Sequence, residues 1–500
     1  MNRKPNLSFA LDLDISEGIE RIGRFLEKRG TAAYLVGGFV RDLQLGRRTS
    51  DVDLALDADP LQLGPELAQD LGGKFLLLDE LNRIVRVVMT AKAADPFNFW
   101  YADFSPLGGA DIRADLSRRD FSINAMAIEL GAWRRTPADV PILDPCGGKK
   151  ALKEKRVDAV GPDVFTADPA RLLRALRFCA ELDFKLGAST RDLVRRDSAL
   201  VDRAAAERNR EELVKILNSP RAGVTALEMD NLGLLTSFIP ELEPARGVEQ
   251  PREHHWDVLE HSLRSVQAVE YLLHQGAWEY CALPLREAVP WSETMADYFR
   301  ERVSGGSTHQ SLLKLAALLH DIAKPQTKIM AENRVRFYGH NEQGAAAVAA
   351  LLERLRFSRK ETQAVELMVR LHMRPTQMSH EGKPTPRAIY RYLRDAAGFA
   401  LDILYLSLAD HLAARGPDLD PQDWSWHVHQ TCEVLEGWER SKQRPAEVVR
   451  LLDGNDLMRE FSLSPGPRLR TILEALKEAQ AVGEITSRAE ALSYVKNRLL

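Results

Sequence analysis

Tyr34-Leu35-Val36-Gly37-Gly38-Phe39-Val40-Arg41-Asp42, running on through Gly46 to Ser50-Asp51-Val52-Asp53-Leu54-Ala55-Leu56, is the stretch on which the reading of this 500-residue chain turns. The apolar run 33–36 predicts a buried strand, and the two glycines after it suit a loop that passes close to a ligand. Residues 39–45 predict a short helix whose free N–H groups face that loop and form an anion site. Residues 52–56 predict a neighbouring strand with Asp51 and Asp53 at its start. Strand side chains alternate, so two residues apart means one face, and both carboxylates can point at one spot. Hard oxygen donors beside a phosphate-binding turn suit magnesium bridging the phosphates of a nucleotide. Alone, a glycine pair is usually a turn and Asp-x-Asp a solvated strand edge. The order strand, Gly-Gly, helix, strand with two acids is what carries the reading.

Composition sets the frame around that stretch. The chain is 45% hydrophobic and 28% charged, with a net charge of −4, an ordinary globular balance with no bulk basic signature. Any RNA-binding surface must therefore gather its basic residues on one face. The length allows several domains. Cys146, Cys179, Cys281 and Cys432 have no paired spacing, which argues against a zinc knot or disulfide frame and for a reducing cytoplasm. Residues 1–18 carry Asp12 and Asp14 within their apolar patch and do not read as a secretory signal. No apolar run approaches membrane-spanning length, so a cytoplasmic protein is expected.

The form Gly-Gly-x-Val-Arg-Asp with Leu-Gly and Asp-x-Asp resembles the nucleotidyltransferase superfamily, in its branch of class II tRNA nucleotidyltransferases and bacterial poly(A) polymerases. The resemblance implies Mg²⁺ on Asp51 and Asp53, with Gly37, Gly38 and Arg41 in nucleotide binding. A third carboxylate often lies on a comparable strand in that superfamily, and Asp103 is a candidate beside the bland reading of a solvated strand residue. Downstream, Arg118-Arg119-Asp120-Phe121-Ser122-Ile123-Asn124-Ala125 matches the family's next motif, with Ser122 for the usual Thr. Paired arginines suit triphosphate oxygens. Asp120 and Asn124, four apart, are expected on one helix face, which the resemblance implies handles the ribose. In Ala167-Asp168-Pro169-Ala170-Arg171-Leu172-Leu173-Arg174-Ala175-Leu176-Arg177-Phe178, Asp168 and Arg171 offer an acceptor and a donor fork for a Watson–Crick edge. The family uses this pair as a protein template selecting CTP and ATP, and Ala167 departs from its usual acidic residue. Asp168-Pro169 also reads as an N-cap and first helical position. Arg174 and Arg177 continue the stripe towards phosphates or solvent.

Several elements complete the reading of the head: helices over 15–29 and 60–70, strands over 75–78, 84–89 and 97–104, and a polar loop over 107–115. Beyond Leu152 the pattern is helical, with no convincing strand. The arginine- and lysine-rich helices 191–197 and 207–217 resemble the family's neck, and 240–252 reads as a proline-rich linker. An amphipathic helix over 312–319 then leads into His320-Asp321. With His261, His340, His372 and Asp410, this order resembles an HD-superfamily phosphohydrolase; Ala323 replaces the usual Gly before Lys324. Imidazoles and carboxylates from separate helices suit a one- or two-metal site for manganese, iron, nickel or magnesium. His255 and Asp257 are nearby alternatives. The tail 450–482 resembles the body of these enzymes, where helices grip tRNA.

The expected fold is α+β: a small mixed-sheet head (1–150), then an all-α neck (151–240), HD domain (250–420) and tail (421–500). The expected activity is addition of C and A nucleotides to the tRNA 3′ end from CTP and ATP, with pyrophosphate released. Rivals within that chemistry are a CC-adding or A-adding enzyme and a poly(A) polymerase. A rival of another class is an HD phosphodiesterase or phosphatase whose head only binds RNA. The sequence does not set the oligomeric state.

Overall fold

The computed structural model describes residues 13–90, 99–135, 140–378, 383–443 and 450–500. The N-terminal patch up to residue 12, and residues 97–98 of the expected strand 97–104, lie outside them. Two compact units form: Met1–Ala204 with Leu232–Leu234, and Ala205–Asn231 with Leu235–Leu500.

In the first unit, α1 (Leu13–Glu27) buries Ile15, Ile19, Ile22, Phe25 and Leu26 as one stripe. It leads into β1 (Ala33–Val36), α2 (Gly37–Gln44) and β2 (Asp51–Leu56). Next come α3 (Pro60–Leu71), β3 (Lys74–Asp79), β4 (Ile84–Thr90) and β5 (Phe99–Pro106). Asp59 caps α3 by accepting from Leu61 N, and Pro60 fills its first position. Then follow α4 (Ile112–Ser117), β6 (Ala127–Glu129), α5 (Leu130–Arg135) and β7 (Ile142–Leu143). The strands form one sheet in the order β3-β4-β5-β2-β1-β6-β7. Only β2 and β5 run parallel, in the register Asp51 to Tyr101 and Asp53 to Asp103. Val52, Leu54, Ala102, Phe104, Val85 and Val87 are buried in this sheet.

Two local expectations change here, and a third holds in part. The second half of 107–115 is helical, because Asp111 accepts from Ala114 N and starts α4. Residues 120–124 are not an α-helix. Phe121 is extended and bridges Ala159, Ser122 N donates to Asp158 O at 2.8 Å, and only Ser122–Asn124 closes a 3₁₀ turn. Asp168 still caps as Asp168-Pro169 promised, its Oδ1 accepting from Ala170 N at 3.3 Å, but the first turn is not yet α-helical. Asp168 is extended (φ −151°, ψ 98°), as the residue before proline tends to be, and the helix Arg171–Leu182 starts after Ala170.

The second unit is mostly helical. The helix His309–Leu319 is not amphipathic: Ser311 to Leu319 are all buried. It packs among the helices Val258–Leu272, Arg359–Leu371 and Ala400–Arg415. Strands do occur beyond Leu152. In the first unit Arg156–Val157 pairs with Lys185–Leu186, and in the second Arg302–Ser304 pairs with Ser307–Thr308 and Lys328–Ala331 with Arg334–Phe337. The last pair turns on Glu332 and Asn333, both at positive φ. The expected linker 240–252 holds a 3₁₀ segment, Pro240–Ala245, with Leu242 and Ala245 buried. At the C-terminus, helices Gly454–Phe461, Pro467–Ala481 and Arg488–Arg498 close around Leu457, Ile472, Leu476 and Val495. Among the described residues no single helix is long and apolar enough to cross a membrane.

Candidate active site and metal centre

Gly37 opens α2 at φ +66°, and a Cβ there would stand 2.9 Å from Asp53 Oδ2. The missing side chain lets the turn close on the carboxylate. Gly38 N donates to Asp53 Oδ2 at 3.2 Å. Strand alternation brings Asp51 to the same face, and the β2–β5 register adds Asp103, so that one oxygen from each acid lies within 4.8 Å of the others. Asp51 Oδ1 is buried without a hydrogen-bond partner. Burial, with Asp53 and Asp103 beside it, pushes Asp51 up to about 7. Burial and Asp103 raise Asp53 to about 6, against the pull of Arg119, Gly38 N–H and Arg41. Three crowded oxygen donors with an orphaned buried oxygen fit a hard divalent cation.

Asp103 has a further partner that the sequence did not announce. Arg86 on β4 donates from Nε and Nη2 to its two oxygens, each at 2.7 Å, and its guanidinium lies 3.8 Å from the Tyr101 ring centre. An arginine inside the apolar run 84–89 was the available signal, since an unpaired charge in a strand core is costly.

Of the remaining motif residues, Arg41, Asn124, Asp120 and Arg174 form one chain of contacts. Arg41 Nη1 donates to Asn124 Oδ1 at 2.9 Å, while its Nε and Nη2 bind Asp42. Asn124 Nδ2 reaches Asp120 Oδ1 at 3.3 Å, so these two meet across the 3₁₀ turn although no helix face joins them. Gly148 holds that turn closely, for a Cβ there would stand 2.3 Å from Ser122 O. Asp120 also receives Arg174 Nη1 at 3.4 Å. Arg119 Nε donates to Asp115 Oδ2 at 2.9 Å, and Arg118 Nη1 to Gly108 O. Arg171 Nε stands 3.6 Å from Asp168 Oδ2, and Asp168 Oδ1 accepts from Ala170 N. Arg177 lies over Phe178 at 4.3 Å and faces Glu181 Oε2 at 3.7 Å.

The second unit assembles all six expected metal-ligating residues. His261 Nε2 lies 3.2 Å from His320 Nε2, and His340 Nε2 lies 3.4 Å from His372 Nε2. Asp321 Oδ2 stands 3.4 Å from His261 and 3.2 Å from His320, and its Oδ1 3.5 Å from His340. Asp410 Oδ1 is 3.1 Å from His261 and 3.6 Å from His320. The Nδ1 atoms of His320, His340 and His372 face the carbonyls of Ala317, Phe337 and Val369 at 2.7–2.9 Å. Those carbonyls fix the tautomer that turns each Nε2 lone pair inward. Facing lone pairs and two carboxylates in a buried site call for a cation. Without a cation a proton takes its place on His320: burial opposes it, yet Asp321 and Asp410 outweigh burial and raise the imidazole to about 10. Burial and the His320 charge push His372 down to about 4. The residues fit a divalent metal. The alternatives fall elsewhere: His255 Nδ1 pairs with Asp418 at 2.7 Å, and Asp257 caps the helix Val258–Leu272. Two neighbours were missed. Lys324 Nζ stands 2.6 Å from Asp321 Oδ2, and the His254 ring packs edge-on against His261 at 5.4 Å.

Comparison with known proteins places these two centres in context. The family described as the poly A polymerase head domain matches residues 33–158. The probable RNA and SrmB-binding site of polymerase A matches 183–246, and the HD domain matches 258–415. The A-adding tRNA nucleotidyltransferase of Deinococcus radiodurans is 34% identical over 471 residues, covering 93% of this chain and 95% of its own. The CC-adding tRNA nucleotidyltransferase of Thermus thermophilus is 32% identical over 470 residues, covering 93% of each. In fold, the chain is similar to the Thermotoga maritima CCA-adding enzyme complexed with tRNA, with a TM-score of 0.63 at 19% identity over 99% of this chain and 98% of that one. A CCA-adding enzyme in complex with CTP gives a TM-score of 0.64 at 19% identity, over 98% and 96%. By its head, its HD domain and relatives that match it nearly end to end, the chain belongs to the tRNA nucleotidyltransferase family and is an enzyme of that class.

Proposed function

We propose that this enzyme adds C and A nucleotides to the tRNA 3′ end without a nucleic-acid template, from CTP and ATP, with release of pyrophosphate. The observation that carries the reading is the convergence of Asp51, Asp53 and Asp103 beside the Gly37–Gly38 turn. Asp51 and Asp53 would hold Mg²⁺. Bound there, Mg²⁺ lowers the effective charge of the triphosphate and the pKa of the attacking 3′-hydroxyl. Gly38 N–H holds Asp53 Oδ2 in place. Gly37, Gly38, Arg41, Arg118 and Arg119 take the phosphates, Asp120 and Asn124 the sugar, and Arg174 and Arg177 extend the basic stripe. Asp168 and Arg171 read the base edge through an acceptor and a donor fork set side by side. The working division of labour is head 1–150, neck 151–240, HD domain 250–420 and tail 421–500, the neck and tail binding tRNA in the cytoplasm.

A second reading has its own support. Relatives covering 93% of this chain are named A-adding and CC-adding, so a single-step specialist is the alternative. One assay separates them: tRNAs ending before CCA, after the first C and after CC, each offered CTP or ATP. Incorporation at every step is expected, and incorporation confined to one nucleotide would assign the specialist. Asp51→Ala should bind tRNA and incorporate nothing. Robust incorporation by that variant would overturn the assignment.

The HD domain we read as a metal-dependent phosphohydrolase holding a transition metal or Mg²⁺ on His261, His320, Asp321, His340, His372 and Asp410. Phosphate release from 2′-nucleotides, or opening of 2′,3′-cyclic nucleotides to monoesters, should be lost in His320→Ala. Equal release or opening by parent and variant would reject the hydrolase.

A further inference from the structure

The outer edge of the head sheet presents an apolar strand to solvent. β3 ends the strand order, and β4 is its partner within the chain. Leu76, Leu77 and Leu78 are 48%, 48% and 47% exposed, and Leu81 in the following turn is 95% exposed. An apolar edge of this kind is normally blunted by charge, proline, a bulge or cover, and the one irregularity of β3 falls near its end, between Leu77 and Asp79. Here the charges stand only at its two ends, Lys74 and Asp79.

The register says which residues can face each other. Lys74 pairs with Val88, Leu76 with Arg86 and Asp79 with Ile84, while Phe75 pairs with Val87 and Leu77 with Val85. A register shift between Leu77 and Asp79 brings Asp79 onto the face of Lys74 and Leu76, leaving Leu78 as the extra residue. A strand meeting its own copy antiparallel can oppose only residues of the same face. With Leu76 on the two-fold axis, Phe75 faces Leu77 of the second copy and Lys74 faces its Asp79. Every opposed pair is then apolar or of opposite charge. The Asp79 carboxylate is kept ionised by Asn82, which donates to it from N at 3.0 Å and Nδ2 at 2.6 Å.

We propose that two chains associate through antiparallel β3–β3 pairing about Leu76, joining their head sheets into one. Such a two-fold contact is isologous and closes at two copies. Five paired residues from each strand fall short of the roughly 1,000 Å² of a firm interface, so the dimer dissociates on dilution. Sedimentation of the full chain over a dilution series should show its mass rising from one chain towards two. Lys74→Asp and Asp79→Lys should each stay monomeric, since like charges then meet at both ends. Mixing these two variants should restore the dimer, because each chain now complements the other. Leu76→Lys, which sets two lysines on the axis, should also be monomeric. Circular dichroism and nucleotide incorporation matching the parent would show the variants folded. A parent that stays monomeric throughout, a dimer indifferent to Lys74→Asp and Leu76→Lys, or a mixture that fails to re-associate would each overturn the proposal.

Discussion

Asp51 and Asp53 carry the sharpest consequence at the scale of single residues. Their ordinary value is 3.8, and the fold raises them to about 7 and about 6. A carboxyl raised in the folded state binds more protons there than in the unfolded chain. Its contribution to stability is therefore full below pH 4 and lost as pH rises through 6 to 7. In chelator, the head's thermal midpoint should fall over that window. Mg²⁺ at pH 8 should restore it, because the cation takes the place of the protons. Asp51→Asn should flatten the pH dependence and weaken the Mg²⁺ rescue; a midpoint indifferent to pH and Mg²⁺ would show that these acids do not form a cation site. Arg86 belongs to the same balance. Removing it in Arg86→Leu leaves Asp103 unpaired beside the other two acids, so the metal-free head should be destabilised by several kcal/mol, about 3–5 for a broken buried pair, discounted for partial exposure. The discount matters, since Arg86 keeps 27% of its side-chain surface exposed and Asp103 18%. Urea unfolding in chelator would measure it.

At the scale of elements, the strand-turn-helix β1–α2 depends on Gly37. Gly37→Ala places a Cβ at positive φ and against Asp53 Oδ2. The backbone cost is about 1–3 kcal/mol, and the displaced carboxylate should lower incorporation well beyond what the stability loss explains. Parent-like incorporation at saturating Mg²⁺ would show that the close approach is dispensable. The C-terminal helices offer the contrasting case of pure packing. Leu457 is fully buried among Ile472, Leu476 and Val495, and Leu457→Ala should cost about 2–5 kcal/mol with the head chemistry intact. Differential scanning calorimetry and the incorporation assay would read the two effects apart. Element by element, the sequence was most legible where pattern is local. The period-2 strands and the stripe of α1 follow from alternation and a 3.6-residue repeat. It failed where a distant backbone competes. Residues 120–124 carry helix spacing, but pairing of Phe121 with Ala159 and of Ser122 with Asp158 draws the segment into extended structure. The hairpin at Glu332-Asn333 was hidden by short, charged strands, although an Asn at its turn was a usable cue.

On the scale of the whole molecule, the two candidate centres lie in separate compact units, the acids of the head in one and the HD histidines and aspartates in the other. His320→Ala should therefore add nucleotides at the parent rate, and Asp51→Ala should keep the phosphohydrolase activity proposed for the HD domain. Loss of both activities in either single variant would show that the centres are coupled. The sequence by itself determined the kinds of candidate ligand and their order along the chain: Asp-x-Asp behind a glycine turn, and His, His-Asp, His, His, Asp spread over helices. Those are local features, set by residue type and by side-chain periodicity. Only the tertiary structure decided who stands beside whom. The parallel pairing of β2 with β5 brings Asp103 to Asp53, β4 delivers Arg86 to Asp103, and carbonyls one turn back aim three imidazoles inward. The reason is physical: such contacts join residues far apart in the chain, and they exist only once burial of the sheet and helix faces has fixed the register between elements.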